Sequence, residues 1–265
     1  MSIDKNPFTL EDDPRIIALL PARYNSSRLP GKPLIEICGC SVIRRTYQQV
    51  EKSIIDSSFI YVVTDDDRIE KHVDSWDGNV IRVDRCCLNG TVRIAHALSK
   101  LALDPPLKDT DIVVNVQGDE PCIDPANIDY LISQHQQHQN PDITTMHQEK
   151  TSPSTHLMGE NSCKIVTDIN HRVLYGSRAM IPHSSIAKTQ DTMIWKEHVG
   201  VFAFRPSWLK YLLDHPPTPL QLAEDIEWLQ TLELGGRMLS FQSPTENERG
   251  VNTQEDVKYL TRILS

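Results

Sequence analysis

The sequence predicts an α/β protein built on a doubly wound, mostly parallel sheet, with a smaller α+β segment attached. Apolar, β-branched runs recur at residues 16–20, 59–63, 80–83 and 112–116. They are nearly continuous rather than alternating, as strands covered on both faces are, and stretches of helical spacing separate them. The residues that follow the first, second and fourth runs are strongly polar, and in open α/β sheets ligands collect just beyond the carboxyl ends of the strands.

The elements follow in order. After a polar tail over residues 1–14, a first α/β part is expected over 15–141. From residue 142 the texture changes: short strand-like runs at 142–146, 164–167 and 199–204 are separated by loops rich in Ser, Thr and Pro. This second segment is drawn to residue 241. A helix is predicted over 219–234, with Leu222, Ile226 and Leu229 as its apolar side and Gly235-Gly236 as its stop. A strand at 238–242 and a last helix opened by Thr253, with Asp256 at capping-box spacing, complete the chain. Residues 242–265 are expected to return to the first part.

Composition bounds the function. The 265 residues are 39% hydrophobic and 24% charged, within the range of ordinary globular proteins. The formal net charge of -9 argues against a nucleic-acid-binding face, which needs clustered Lys and Arg. No apolar run approaches the ~20 residues that span a bilayer, so no membrane partner is expected. The opening residues lack the order of a secretory signal, and a cytoplasmic location is the consistent expectation. Cys38, Cys40, Cys86, Cys87, Cys122 and Cys163 have no zinc-knuckle spacing and are expected to be free, buried thiols.

The loop after the first run carries Arg23, Arg28 and Lys32, with Ser26, Ser27 and Gly31 between them. Arg offers a planar fork to phosphate oxygens and Lys a compact charge, so the loop suits a polyphosphate. It is not a Walker A loop, because Pro33 follows Lys32 and Ser26 stands where the leading glycine belongs; nor does a GxGxxG turn follow any run. After the fourth run, Gln117-Gly118-Asp119-Glu120-Pro121 sets a carboxylate at a strand end. Mg²⁺ takes one or two carboxylates plus substrate phosphates, so Asp119 facing the basic loop would suit it.

These motifs resemble the 3-deoxy-manno-octulosonate (Kdo) cytidylyltransferases, also called CMP-Kdo synthetases. Their opening PARxxSxRLPGKPL is matched from Pro21 to Leu34. The likeness continues through Val63-Thr64-Asp65, Asn89-Gly90-Thr91-Val92-Arg93 (SGTER in the family), 114–121, 174–182 and 198–202. The resemblance implies attack of the sugar's C2 hydroxyl on the α-phosphorus of CTP, giving CMP-sugar and pyrophosphate with Mg²⁺ bound. It implies catalytic roles for Arg23, Lys32 and Asp119, and a nucleotide site at Pro21, Ala22, Arg23, Ser27, Lys32, Asn89, Gly90, Thr91, Arg93 and Gly118. The sugar-acid pocket would hold Gln117, Arg178, His198, Phe202, Glu227 and Trp228, with Arg178 set against the sugar carboxylate. Asp119 and Asn252 would hold the metal. CTP, an eight-carbon acidic sugar and a second copy of the chain are the implied partners, and lipopolysaccharide synthesis the usual destination.

Three departures leave alternatives open. The family's GVDTPED reads Gly250-Val251-Asn252-Thr253-Gln254-Glu255-Asp256, so an amide replaces a metal-binding carboxylate, and Asp256 is expected to point elsewhere. A family Tyr is Phe202, and EQLR reads Glu227-Trp228-Leu229-Gln230. Of the helical acids Glu224, Asp225 and Glu227, only Glu227 is expected to act; the others are expected to be solvated. The same chemistry on another ulosonic acid, 8-amino-Kdo-like or sialic-acid-like, is one alternative. A nucleotide-binding protein with weakened catalysis is another.

Overall fold

The computed structural model describes residues 13–26, 28–84, 87, 89–138, 141–152, 154–183, 193–246 and 250–265. Strands β1 (Ile16–Ala22), β4 (Ile60–Thr64), β5 (Val80–Arg82) and β6 (Ile112–Val116) form the parallel part of the sheet. β7 (Ile143–Lys150), β8 (Lys164–Thr167), β9 (Val173–Ser177), β10 (Trp195–Phe204) and β11 (Met238–Gln242) extend it, while β2 (Glu36–Ile37) and β3 (Cys40–Ser41) make a separate small hairpin. The helices are α1 (Val42–Val50), α2 (Asp67–Asp74), α3 (Gly90–Lys100), α4 (Pro125–Gln137), α5 (Thr155–Met158), α6 (Pro206–Leu213), α7 (Pro219–Glu224), α8 (Leu229–Glu233) and α9 (Gln254–Leu264).

The main sheet runs β11-β7-β10-β6-β1-β4-β5, with β8 and β9 branching from β10. β10 is antiparallel to both β6 and β7; the other neighbours along this path are parallel. The boundary drawn at 141/142 therefore falls inside one continuous sheet, since β7, β10 and β11 join it from the second segment. β9 overlaps the start of the 174–182 motif, where no strand-like run is predicted.

β1 explains the unbroken apolar runs. Its Ala18 and Leu20 face a core with Ile43, Tyr47, Leu131 and Ile132, from α1 and α4. Its Ile17 and Leu19 face the opposite core with Ile94, Ala97, Leu209 and Leu212, from α3 and α6. Both faces are covered, so neither can be polar. The third predicted run, β5, is an edge strand whose residues are only half-buried. Side-chain caps set the helix starts: Ser41, Asp66, Asn89 and Asp124 each accept a backbone N–H of α1, α2, α3 and α4.

The helix predicted over 219–234 is two helices. Asp225, in left-handed conformation at φ 51° and ψ 45°, ends α7, and the chain turns through 225–228 before α8 begins. Leu222 is 64% exposed, whereas Ile226 and Leu229 are buried. The Gly235-Gly236 stop forms as a Schellman motif, with Gly236 N–H donating to Thr231 O at 2.8 Å and Gly235 N–H to Leu232 O at 3.1 Å. Cys38 is exposed and Cys40, Cys87, Cys122 and Cys163 are only half-buried, so the expected burial fails for every described cysteine; Cys86 lies outside the described residues.

The crevice between β1 and β6 is where the crossovers diverge. There Gly118 lets two loops meet, since a Cβ on it would lie 2.7 Å from Pro21 O and 3.0 Å from Ile43 Cδ1. Gly118→Ala is accordingly expected to lower unfolding free energy by about 1–3 kcal/mol in denaturant titration, as overpacking of a tight site does.

Candidate active site

A cleft of about 780 Å³ opens over the carboxyl ends of β1 and β6. Its first wall is the loop after β1. Gly31 N–H donates to Tyr24 O at 2.8 Å, closing the loop, and Gly31 takes φ 71° beneath the Tyr24 ring. Arg68 stacks on that ring, 3.2 Å from its centroid. The loop so fixed presents Arg23 to the cleft without a hydrogen-bond or ion-pair partner among the described residues. Lys32 Nζ reaches across to the Asp119 carboxylate and forms an ion pair with it. Arg28 hydrogen-bonds Asn161 Oδ1 on the far lip. Ser27 lies outside the described residues.

The segment before α9 comes back to Asp119. Val251 N–H donates to Asp119 O at 2.8 Å, and a Cβ on Gly250 would stand 3.0 Å from that oxygen. Val251 is seated in a small core with Ile37, Val42, Val257 and Leu260, so α9 and the β2–β3 hairpin hold this contact. Asn252 thereby borders the cleft beside Asp119. The Asp256 carboxylate accepts the N–H groups of Asn252 and Thr253 at 3.0 and 2.8 Å, capping α9 rather than facing the cleft.

The other wall is built by the turn between α7 and α8. Glu227 accepts Thr91 N–H at 3.0 Å and Gln117 Nε2–H at 3.1 Å, placing a carboxylate on the N-terminus of α3. Burial raises its pKa in spite of those donors and the Gly90 N–H. Gly90 and Asn89 line the cleft, whereas Thr91 is 5% exposed behind them with its N–H given to Glu227. Arg93 lines the cleft yet is 4% exposed and ion-paired with Asp65 at 2.8 Å.

Arg178 lines the cleft as expected, but its guanidinium is already engaged. Its Nε donates to Glu224 O at 3.0 Å, one terminal nitrogen to Glu160 O at 2.8 Å and the other to Asp225 O at 2.7 Å. The guanidinium is thus a clamp on the left-handed turn instead of an open anion receptor. Glu224, expected to be solvated, accepts Tyr175 O–H, Ser177 O–H and Arg178 N–H at 3.1, 2.7 and 3.0 Å. Lys164, fully buried, donates to Ser162 O at 2.8 Å and Arg178 O at 2.6 Å, fixing the lip that carries Asn161.

His198, Phe202 and Trp228 meet at the floor, with the His198 ring 5.1 Å from Phe202 and 5.5 Å from Trp228. Phe202 and Trp228 are 2% and 4% exposed, and the indole covers Gly176 so closely that a Cβ there would lie 2.1 Å from it. Glu120 and Glu197, to which no motif gives a role, also border the cleft. Burial and the charge of Asp119 push the Glu120 carboxyl up to about 8. Burial also raises Glu197, but hydrogen bonds from His156 and Ser162 outweigh it and leave its pKa lowered. Glu120 stands beside Asp119 in a quoted motif, and Glu197 precedes His198; adjacency was the available signal.

A doubly wound sheet with cations and a carboxylate meeting at its switch point defines a nucleotide-binding α/β enzyme of the nucleotidyltransferase class. The sequence profile of the cytidylyltransferase family matches residues 17–241, and the chain belongs to that family. It is 35% identical to the 3-deoxy-manno-octulosonate cytidylyltransferase of Chlamydia trachomatis serovar A, covering 94% of this chain and 93% of that protein. The mitochondrial enzyme of the same name from Arabidopsis thaliana is 35% identical over 94% of this chain and 83% of its own length. A solved CMP:2-keto-3-deoxy-manno-octonic acid synthetase complexed with CTP superposes with TM-score 0.83 at 27% identity, covering 94% and 98% of the two chains. A Leptospira borgpetersenii cytidylyltransferase, at 17% identity and TM-score 0.59, shares the fold.

Arg178→Met removes the donors to three carbonyls while keeping most of the side-chain bulk. It is expected to cost about 2 kcal/mol of stability in chemical denaturation, the order of a lost charged hydrogen-bond set.

Proposed function

We propose that the cleft joins CMP from CTP to the C2 hydroxyl of 3-deoxy-manno-octulosonate or a close relative, releasing pyrophosphate. The observation that carries this reading is the meeting of Lys32 with Asp119 beside the unpaired Arg23. In the reaction the C2 hydroxyl oxygen forms a bond to the α-phosphorus while its O–H bond breaks and the proton passes to solvent, and the bond from that phosphorus to the departing pyrophosphate breaks. Arg23 and Lys32 would hold the triphosphate and stabilise the charge that develops on the leaving group. Glu227 and His198 would face the sugar acid.

The donor set fits a hard divalent cation. Asp119 offers a carboxylate and Asn252 an amide carbonyl, both at one end of the cleft. Among the described residues no group of three or more His, Cys, Asp or Glu could hold a metal alone, so Mg²⁺ would be shared with the substrate's phosphates. When bound, such a cation neutralises phosphate charge as a Lewis acid. Asn252 supplies one negative charge fewer than an aspartate, which weakens that binding.

A second reading keeps the chemistry and changes the sugar: the apolar floor of Phe202 and Trp228 favours an ulosonic acid with a different substituent pattern, 8-amino-Kdo-like or sialic-acid-like. Specificity constants across such sugars decide between the two. A homodimer belongs to the same proposal and is checked by sedimentation equilibrium. No helix of the described residues is long and apolar enough to cross a membrane.

The direct test is pyrophosphate release with CTP, Mg²⁺ and Kdo. Lys32→Ala is expected to lower kcat/KM by about 100-fold or more, the scale of losing one charge-stabilising donor. Asn252→Asp is expected to lower the Mg²⁺ concentration for half-maximal rate. Absence of turnover with every ulosonic acid tried would overturn the proposal.

A further inference from the structure

His198 is held from below by a side chain that no motif singled out. Thr145, on β7, is fully buried, and its Oγ1 lies 2.9 Å from His198 Nε2 and 2.8 Å from Val201 O. The arrangement sits at an irregularity in the β7–β10 ladder. The register shifts between Val199 and Phe202, and the Val201 carbonyl that meets the threonine lies within that shifted stretch.

Proton counting then fixes the imidazole. A threonine hydroxyl has one proton, and a carbonyl oxygen can only accept. At 2.8 Å from Val201 O, that proton must lie between Oγ1 and the carbonyl; pointed at the ring, it would leave two oxygens in contact with none between them. The Oγ1 lone pair is left for the ring, so Nε2 carries the hydrogen and Nδ1 carries none. His198 borders the cleft, and its Nδ1 has no hydrogen-bond partner among the described residues.

We propose that Thr145 is a positioning residue that locks His198 in the Nε2–H tautomer, so that Nδ1 offers the cleft a permanent hydrogen-bond acceptor which reads a hydroxyl donor on the sugar acid. Burial, helped by the facing His147, brings the His198 pKa down to about 3 against the opposing pull of Glu197. The ring therefore stays neutral at physiological pH, and Nδ1 does not turn into a donor. A sugar that replaces that hydroxyl with hydrogen leaves the acceptor unpaired and is rejected. The tautomer stands by itself; only the hydroxyl partner rests on the function proposed above.

Ring-¹⁵N histidine labelling with long-range proton–nitrogen correlation reads the tautomer in the ligand-free protein, with His198→Gln identifying the signal. A protonated Nε2 and bare Nδ1 are expected in the wild type. Thr145→Val is expected to lose that preference and to raise the KM for the sugar about tenfold, the effect of one neutral hydrogen bond, with the KM for CTP unchanged. Thr145→Ser is expected to restore both. A protonated Nδ1 in the wild type overturns the proposal without any variant having to fold. A tautomer as stated, with equal KM for the sugar in a folded Thr145→Val protein, overturns the hydroxyl-reading half. A tautomer as stated in a protein that turns over no ulosonic acid supports the lock and sinks only the reading of function.

Discussion

Two opposite charges in contact at the mouth of a parallel sheet organise this molecule. Lys32 comes from the loop after β1 and Asp119 from the loop after β6, strands that are neighbours in the sheet but whose crossovers leave in different directions. The loops approach only because Gly118 has no side chain to hold them apart. Partly exposed, the pair contributes modestly to stability, and its importance is poise. A polyphosphate with its counter-cation offers each member a replacement partner of the same sign as the one it gives up. Binding can therefore open the pair without stranding either charge.

The opposite wall depends on a single backbone conformation. Asp225 in the left-handed region interrupts what the sequence pattern draws as one helix, and Arg178 with Glu224 holds the interruption in place. A continuous helix over this stretch would rotate Glu227 and Trp228 away from α3 and Gly176. The non-glycine residue at positive φ is strained locally, and such strain persists where surrounding contacts over-determine it.

The parallel half of the sheet was legible because each of its interior strands is covered on both faces, which leaves an unmistakable run such as 112–116. β9 was not, since Leu174 is 58% exposed and the strand is short and at an edge. The basic loop and Asp119 could be paired from the sequence because strand ends in this architecture converge. The clamp by Arg178 could not, because it depends on backbone carbonyls, which every residue possesses and no motif records. Thr145 was hidden for a similar reason: its partners are a carbonyl at a ladder irregularity and a histidine 53 positions away. Asp256 was anticipated correctly, because capping-box spacing is a local signal.

The contact of Val251 with the Asp119 carbonyl carries a temporal implication for biosynthesis. Residues 250–264 leave the ribosome long after residue 119, so a nascent chain can pair β1 with β4 and β6 while the end of the cleft that carries Asp119 is still incomplete. Until α9 docks on the β2–β3 hairpin, the partly made protein presents Lys32 and Asp119 without Asn252 beside them.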